Sequence, residues 1–392
     1  MSQPRVGPPV RVARFPPWHG RNPYFDLLYG ELSRLGVDVA AQPPFSLGWL
    51  WRSRREVDVL HFHWRPDRYY AWCRSKRDAR DRPPAGSQEL GSWVRLVSFA
   101  GRLASARLLG YRIVWTIHEV YPPQTASRPP GTISRRVDRV GSRLLARASH
   151  GLIAHDAATA ERARAEFGRA IRNVRIVPHG SYIGVYPPGR PRATVRAELE
   201  VPNDAVVFLC FGVLRPDKSV ALLVDAFRST RDENLALVVA GRVEDAGSRR
   251  LLEEAAAADS RIRLLLDHVP AERVGELFSA SDAAVFPRSE PWTSGSLILA
   301  LSLGVPAVAA DVSPYDELLG WGRAAWLFNP WDAHSLSAKL LEAAADPQRA
   351  EKSTAALQQA AGLSTWADAA CSTAELLRGA GDQPNGRPRG RR

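Results

Sequence analysis

Short apolar runs alternate with longer amphipathic stretches along most of the chain. In the first half, Arg11 to Phe15, Val37 to Ala41, Val57 to Phe62, Ile113 to Ile117, Gly151 to Ala154 and Val174 to Val177 read as strands. Val206 to Phe211, Leu235 to Ala240, Ile262 to Leu266, Ala283 to Phe286, Ala307 to Ala309 and Trp326 to Phe328 repeat the plan in the second. Runs with few polar side chains suit strands covered on both faces. The stretches between them carry helical periodicity and its punctuation. Asn22 is an N-cap, Pro23 takes the first helical position, and Gly36 ends that helix after about Leu35. Helices are also predicted at Leu90 to Leu109, Ile133 to Ala148, Val220 to Phe227, Arg249 to Ala258, Ala271 to Ala280 and Ser296 to Leu303. Another runs up to Phe167, one follows the Asp332 cap to about Ala345, and a last one covers Ser364 to Arg378.

This alternation predicts the α/β class, with two Rossmann-like parallel-sheet domains facing a cleft. The expected bounds are 1–186 for the first domain and 187–200 for a Pro/Arg-rich linker. The second domain is expected at 201–363, a C-terminal helix at 364–379 and a disordered basic tail at 380–392. In such sheets ligands sit beyond the carboxyl ends of the strands. His61, His118, His155, His179, Gly212, Gly241 and Glu290 all fall at such ends. Their shared placement is the main sign of a single site.

Composition narrows the class. An apolar fraction of 45% supports full cores in a chain of 392 residues. The opening residues lack the basic start and apolar core of a secretory signal. The most apolar run, Ser296 to Ala310, is shorter than the ~20 residues that span a bilayer. The expected location is the cytoplasm, in solution or on the inner face of the cell membrane. Cys73, Cys210 and Cys371 are scattered without paired spacing, so no disulfide framework or zinc site follows. Charge is lopsided: residues 1–200 carry 33 Lys+Arg against 16 Asp+Glu, and the remainder 20 against 25. An anionic partner for the first half is implied: a membrane surface, a nucleic acid or a phosphorylated substrate.

The chemistry-bearing residues cluster in the second half. Thr293-Ser294-Gly295 opens an apolar helix after a polar loop. Its free amides and the positive end of the helix dipole form an anion site. Gly212-x-x-Arg215-x-x-Lys218 sets two cations just past a strand, as a diphosphate requires. Gly241-Arg242 adds a close backbone approach and a third cation, and Glu290 can accept from sugar hydroxyls. No GxGxxG follows the first strand, and neither a Walker motif nor a DxD pair is present. His61 and His63 share one strand face two residues apart, a spacing open to a metal, but no third ligand is evident. Packing is therefore the reading for that pair, and no metal or other cofactor is expected.

These motifs resemble glycosyltransferases of the GT-B architecture, close to family 4, across most of residues 10–345. The second-half signals are FGVLRPDK, VVAGR and SEPWTSGSLILALSLGVPAVA; the first-half signals are NPYFDLLYGELSRLG, VDVLHFHW, IVWTIHE and VRIVPHG. The resemblance implies an acceptor-side first domain and a nucleotide-sugar-binding second domain. It implies that Arg215 and Lys218 hold the donor diphosphate together with Gly212, Arg242, Thr293, Ser294 and Gly295. Glu290 would meet the donor sugar, and the backbone at His268 and Val269 the base. His118 and Glu119 would serve the reacting groups, with Asn22, Tyr24, His63 and His179 on the acceptor side. An inverting reaction would need a base, His118 or Glu119; a retaining one would let the leaving phosphate take the proton. Leu299 stands where many members carry a second glutamate that binds the ribose, and Val213 where an arginine often follows the first glycine. The TSGS form is similar to bacterial β-mannosyltransferase-like enzymes of exopolysaccharide or glycolipid synthesis.

The expected function is thus metal-independent transfer of a hexose from GDP-mannose or a UDP-hexose to a glycan or glycolipid. The alternatives are a secondary-metabolite glycosyltransferase, an inactive sugar-nucleotide binder and a basic nucleic-acid-binding protein. The last lacks a helix-turn-helix, a zinc module or aromatic-rich RNA strands, so no nucleic acid is expected. An anionic membrane is the expected partner of the basic half. Arg135, Arg139, Arg143 and Arg147, spaced by four, form one stripe on a predicted helix. The basic excursion with Tyr69, Tyr70, Trp72, Arg74, Lys76 and Arg77 would add aromatic anchors.

Overall fold

The structure, a computed structural model, describes residues 9–16, 23–41, 44–64, 66, 69, 85–119, 132–171, 173–215 and 218–379. Asn22, Tyr70, Trp72, Arg74, Lys76, Arg77 and the tail expected at 380–392 lie outside the described residues.

The described residues form two compact units. Of the described residues, the first holds those within 9–119, 132–180 and 365–379, and the second those within 181–364. In the first, β1 (Val10–Phe15), β2 (Val37–Ala41), β3 (Val59–His63), β4 (Arg112–Ile117), β5 (Gly151–Ala154) and β6 (Val174–Ile176) form one sheet. Its order is β2-β1-β3-β4-β5-β6, every pair parallel. In the second, β7 (Val206–Phe211), β8 (Leu235–Ala240), β9 (Ile262–Leu265), β10 (Ala283–Phe286), β11 (Ala307–Ala310) and β12 (Ala325–Phe328) form another. Its order is β12-β11-β10-β7-β8-β9, again parallel throughout. These are the flavodoxin-like and dinucleotide-fold orders respectively. They place the switch points between β1 and β3 and between β7 and β10, where crossovers diverge and a crevice opens. The inner strands are buried as the apolar runs predict, β8 along its whole length, while the edge strands β6 and β9 are only partly covered.

The residues expected to be a linker, 187–200, are instead part of the second unit. A helix forms at Arg192–Glu198. Arg196, only 2% exposed, donates to the carbonyls of Ala280 (2.9 Å), Asn203 (2.7 Å) and Ala205 (2.8 Å). Its Nη2 donates to the Asp282 carboxylate at 2.7 Å, which also accepts from the amide of Val207. Arg190 forks onto Glu198 and Glu276. Pro/Arg-rich composition marks a linker only when the arginines stay in water; here carboxylates and carbonyls from distant elements take them in.

The helix expected at the C-terminus is Trp366–Arg378, but it belongs to the first unit. Thr365 and Asp368 form a reciprocal capping box at its start. The helix packs against the helix Pro23–Arg34. Arg112 Nε donates to its Leu376 carbonyl at 2.9 Å. The sequence reading places no helix at Leu47–Ser53 or Arg349–Ala361, and both form. Ser46 caps the former, while the latter lies on the helix Gly295–Ser302, which gives its alanine-rich face a partner.

Arg196→Ala is expected to destabilise the second unit by about 3 kcal/mol, because the carbonyls of Ala280, Asn203 and Ala205 lose a buried charged donor, while Asp282 keeps Arg192 and the Val207 amide. Urea denaturation followed by circular dichroism measures it. A loss below about 1 kcal/mol would show that water replaces the guanidinium at no great cost.

Candidate functional site

In the second unit the site is built where β7 and β10 part. Gly212 follows β7 with φ 112° and Gly241 follows β8 with φ 137°. A Cβ on Gly241 would lie 1.9 Å from the Gly212 carbonyl oxygen, so only paired glycines let these loops touch. A Cβ on Gly212 would meet Ser296 Oγ at 3.0 Å and Lys218 Nζ at 3.1 Å. The ammonium of Lys218 and the hydroxyl of Ser296 therefore converge on one bare backbone position. Lys218 is partly buried, with Nζ 3.5 Å from the Phe211 carbonyl oxygen. Arg215, also partly buried, precedes it in the same loop.

The helix Gly295–Ser302 starts beside this point. Ser294 is its N-cap and accepts from the Leu297 amide at 3.3 Å. Thr293, Ser294, Gly295 and Ser296 are all partly buried. The first amides of a helix have no partner within it, so this end adds donors and positive potential. Lys218, Gly212 and the helix start thus come together. Ser296 was missed, although it is the last residue of the TSGS motif. Arg242 is half-exposed and pairs with Glu244 at 2.9 Å. His268 and Glu290 are exposed and Val269 partly buried, each in a loop beyond a strand end. Leu299 is buried on the helix.

In the first unit the histidines gather in one polar cluster. His61 and His63 lie on β3, His118 just past β4, His155 just past β5 and His179 shortly beyond β6. Tyr24, on the helix Pro23–Arg34, touches most of them. Its ring centroid is 4.9 Å from that of His118, 5.4 Å from His179, 5.6 Å from His155 and 5.8 Å from His63. Trp64 stacks on His118 at 4.6 Å. Trp366 edges onto Tyr24 and His179 from the C-terminal helix. A Cβ at Gly180 would lie 2.5 Å from its ring, so the glycine after His179 makes room for it.

Hydrogen bonds orient the rings. His155 Nδ1 donates to the Val177 carbonyl (2.9 Å) and His179 Nδ1 to that of Gly180 (2.8 Å). The bare Nε2 of His155 therefore accepts from the Tyr24 hydroxyl at 3.3 Å. Tyr29 bridges His61 Nδ1 (2.7 Å) and His63 Nε2 (3.0 Å). These two rings, open to a metal by spacing, are held by hydrogen bonds instead. Burial drives every pKa here down: to about 3 at His61 and His179, well below the usual value at His63 and His118, and lower at His155. Arg14 lies on β1 opposite His61, its guanidinium 4.3 Å above the Phe25 ring, and its charge acts in the same direction on His61 and His63. Glu119 is buried beside His118, which keeps part of its surface.

Comparison with known proteins bears on this geometry. Residues 191–361 match the family described as Glycosyl transferases group 1. The GDP-mannose:glycolipid 4-beta-D-mannosyltransferase of Xanthomonas campestris pv. campestris is 28% identical over 335 residues, spanning 83% of this chain and 81% of its own. The D-inositol 3-phosphate glycosyltransferase of Streptomyces avermitilis is 25% identical over 294 residues, covering 72% of this chain and 63% of its own. Sucrose-phosphate synthase from Thermosynechococcus elongatus shares the fold, with a TM-score of 0.66 and 16% identity over 94% of this chain and 98% of that one. So does HepE of Anabaena in complex with UDP and glucose, with a TM-score of 0.65 and 17% identity over 94% and 98%. The paired parallel-sheet units have the GT-B architecture.

The depressed histidines set a pH dependence. A histidine with its folded pKa below the unfolded value near 6.5 adds stability that is complete above that value and lost as pH falls toward the folded one. The first unit is expected to weaken from about pH 6.5 downward, each such histidine costing up to about 1.4 kcal/mol per pH unit. Melting temperatures between pH 8 and 4.5 measure this, with His179→Asn giving a shallower slope. A flat profile would contradict the neutral cluster.

Proposed function

We propose that this glycosyltransferase moves a hexose from a nucleotide-diphosphate sugar to a glycolipid or glycan acceptor. The observation that carries this is the meeting of Lys218 Nζ, Ser296 Oγ and the start of the helix Gly295–Ser302 at the bare Gly212 backbone. Such a point takes an anion. As the bond from the anomeric carbon to the diphosphate breaks, negative charge grows on the departing phosphate. Lys218, Arg215 and the helix amides offset it without rearranging, which is what lowers a barrier. The glycines at 212 and 241 allow a phosphate to approach the backbone itself. GDP-mannose is the donor and a glycolipid the acceptor named for the Xanthomonas relative, which makes them the first pair to test.

Tyr24, His63, His118, Glu119 and His179 are read as the acceptor-side groups. Transfer is read as metal-independent. The chain has no DxD pair, and among the described residues no group of three or more His, Cys, Asp or Glu could hold a metal ion. Charge neutralisation by Lys218 and the helix start would then replace that of a cation.

The acceptor would be met at an anionic bilayer on the inner face of the cell membrane. No described helix is long and apolar enough to cross a membrane. On the helix Ala85–Leu108, however, Leu90, Val94, Val97 and Leu108 are 67%, 63%, 71% and 88% exposed along one face. The neighbouring helix Leu47–Ser53 exposes Leu47 and Trp51, with Arg54 stacked over the indole at 4.1 Å. On its other neighbour, Thr132–Ala148, Arg135, Arg136, Arg139, Arg143 and Arg147 are exposed, while Val137 and Leu145 are buried. Arg139 and Arg143 flank Glu166, which tempers that stripe. Exposed apolar residues beside a basic helix favour the leaflet over a merely solvated face. No nucleic acid is expected among the partners.

Lys218→Ala is expected to lower kcat with GDP-mannose and a glycolipid acceptor by about 10²–10³. The wild-type rate should survive EDTA. A folded variant with full turnover would refute the phosphate assignment, and a rate lost to EDTA and restored by magnesium or manganese would refute metal independence.

Vesicles containing phosphatidylglycerol should sediment the protein at low salt, and neutral vesicles should not. Replacing Leu90, Val94 and Val97 by Ser should weaken that binding about tenfold or more. Equal sedimentation of the variant would remove this helix from the membrane face.

A further inference from the structure

A single hydrogen-bonded chain runs from the core of the first sheet to His118. Thr116 Oγ1 is 2.8 Å from His61 Nε2, and His61 Nδ1 is 2.7 Å from Tyr29 Oη. Tyr29 Oη is 3.0 Å from His63 Nε2, and His63 Nδ1 is 3.4 Å from His118 Nε2. Among the described residues, the Thr116 hydroxyl and His118 Nδ1 make no other hydrogen bond. Each neutral group in this chain carries one polar hydrogen. Every bond must therefore point the same way, and only two arrangements exist.

In one, Thr116 donates to His61, His61 to Tyr29, Tyr29 to His63 and His63 to the bare Nε2 of His118. His118 then carries its proton on Nδ1. In the other, His118 donates from Nε2 and every bond is reversed. That arrangement ends with His61 donating to Thr116, and leaves the Thr116 hydroxyl hydrogen without an acceptor. Thr116 is 1% exposed, so water cannot rescue it. A buried donor without a partner is disfavoured, by about tenfold or more in population. The two arrangements differ little at the His118 end, because among the described residues Nδ1 makes no hydrogen bond, and solvent or substrate can serve either form.

The chain is not a route for an extra proton. Such a proton would have to rest on His61 or His63, which are buried and face the Arg14 guanidinium, itself stacked 5.1 Å from the Tyr29 ring. All links stay neutral, and direction is the information they carry.

We propose that Thr116, His61, Tyr29 and His63 are positioning residues that hold His118 as the Nδ1–H tautomer, a hydrogen-bond donor toward a substrate oxygen. The tautomer follows from the chain itself; its use on substrate rests on the acceptor-side reading of His118. With Nδ1 protonated, His118 does not take a proton from the acceptor hydroxyl. Of the candidate bases for an inverting transfer, Glu119 is then the one that remains.

The test reads the tautomer directly on the full-length protein without substrate. Histidine ring nitrogens labelled with ¹⁵N and correlated to the ring carbon-bound protons distinguish N–H from bare nitrogen, and a His118→Asn sample assigns the ring. At about pH 8 His118 should be the Nδ1–H form in at least about nine-tenths of molecules. Thr116→Ser keeps the hydroxyl and should keep this state. Thr116→Val and Tyr29→Phe each break the bias and should raise the Nε2–H form to roughly half. An Nε2–H ring in the wild type, or an unchanged ring in both breaking variants, overturns the proposal. In the transfer assay His118→Ala should lose about a hundredfold in kcat and His118→Asn, which retains a donor near Nδ1, about tenfold. Equal losses overturn the donor role. Full activity in His118→Ala would refute the acceptor-side reading while leaving the spectroscopic result intact.

Discussion

A parallel strand pair cannot be closed by a tight turn. Each strand must be followed by a crossover, usually a helix, before the next begins, so all carboxyl ends open along one edge. Both sheets here are parallel throughout, and the chemistry-bearing residues of each lie along that edge. The strand orders add the second condition. Where β7 meets β10 and β1 meets β3, successive crossovers leave in opposite directions and the edge widens. Lys218 and Ser296 meet beside the first of these points, and Arg14 and His61 pair across the second.

The crevices solve opposite electrostatic problems. In the second unit, backbone contact between Gly212 and Gly241 removes side chains from the floor, and what converges there is a set of donors: an ammonium, a hydroxyl and the positive end of a helix. Nothing needs to move for that environment to favour a phosphate. In the first unit, burial has driven the imidazoles neutral. Their hydrogen bonds are therefore directional, and ring orientation is set by carbonyls at Val177 and Gly180 and by the tyrosines of one helix. A histidine in such surroundings acts through geometry more than through charge.

The same rule, that buried polar groups must be partnered, organises the scaffold. Arg196 stays inside because Asp282 and several carbonyls receive it. The C-terminal helix is tied to the first unit through Arg112 and through Trp366, for which Gly180 leaves space. The contacts to Ala280, Asp282, Leu376 and Trp366 each join residues far apart in the chain.

The features legible in the chain alone are local ones. Apolar runs, caps and glycine stops located nearly every strand and most helices, because burial periodicity and capping act over a few residues. The helix start at Ser294 was legible for the same reason, since a cap and its first turn are neighbours, whereas the approach of Lys218 to Ser296 at Gly212 is made by the fold. Tertiary structure decided what depends on distant partners. The Pro/Arg stretch at 187–200 looked like a linker until carboxylates from other elements received its arginines. Nothing in the sequence singles out Tyr29, and only the sheet register of His61, His63 and Thr116 makes it a bridge. Trp366 joined the histidines although nothing near it in the chain announces them. Hydrogen-bond direction at His118 lies furthest from the sequence, since it is set by whether one buried hydroxyl on β4 can find an acceptor.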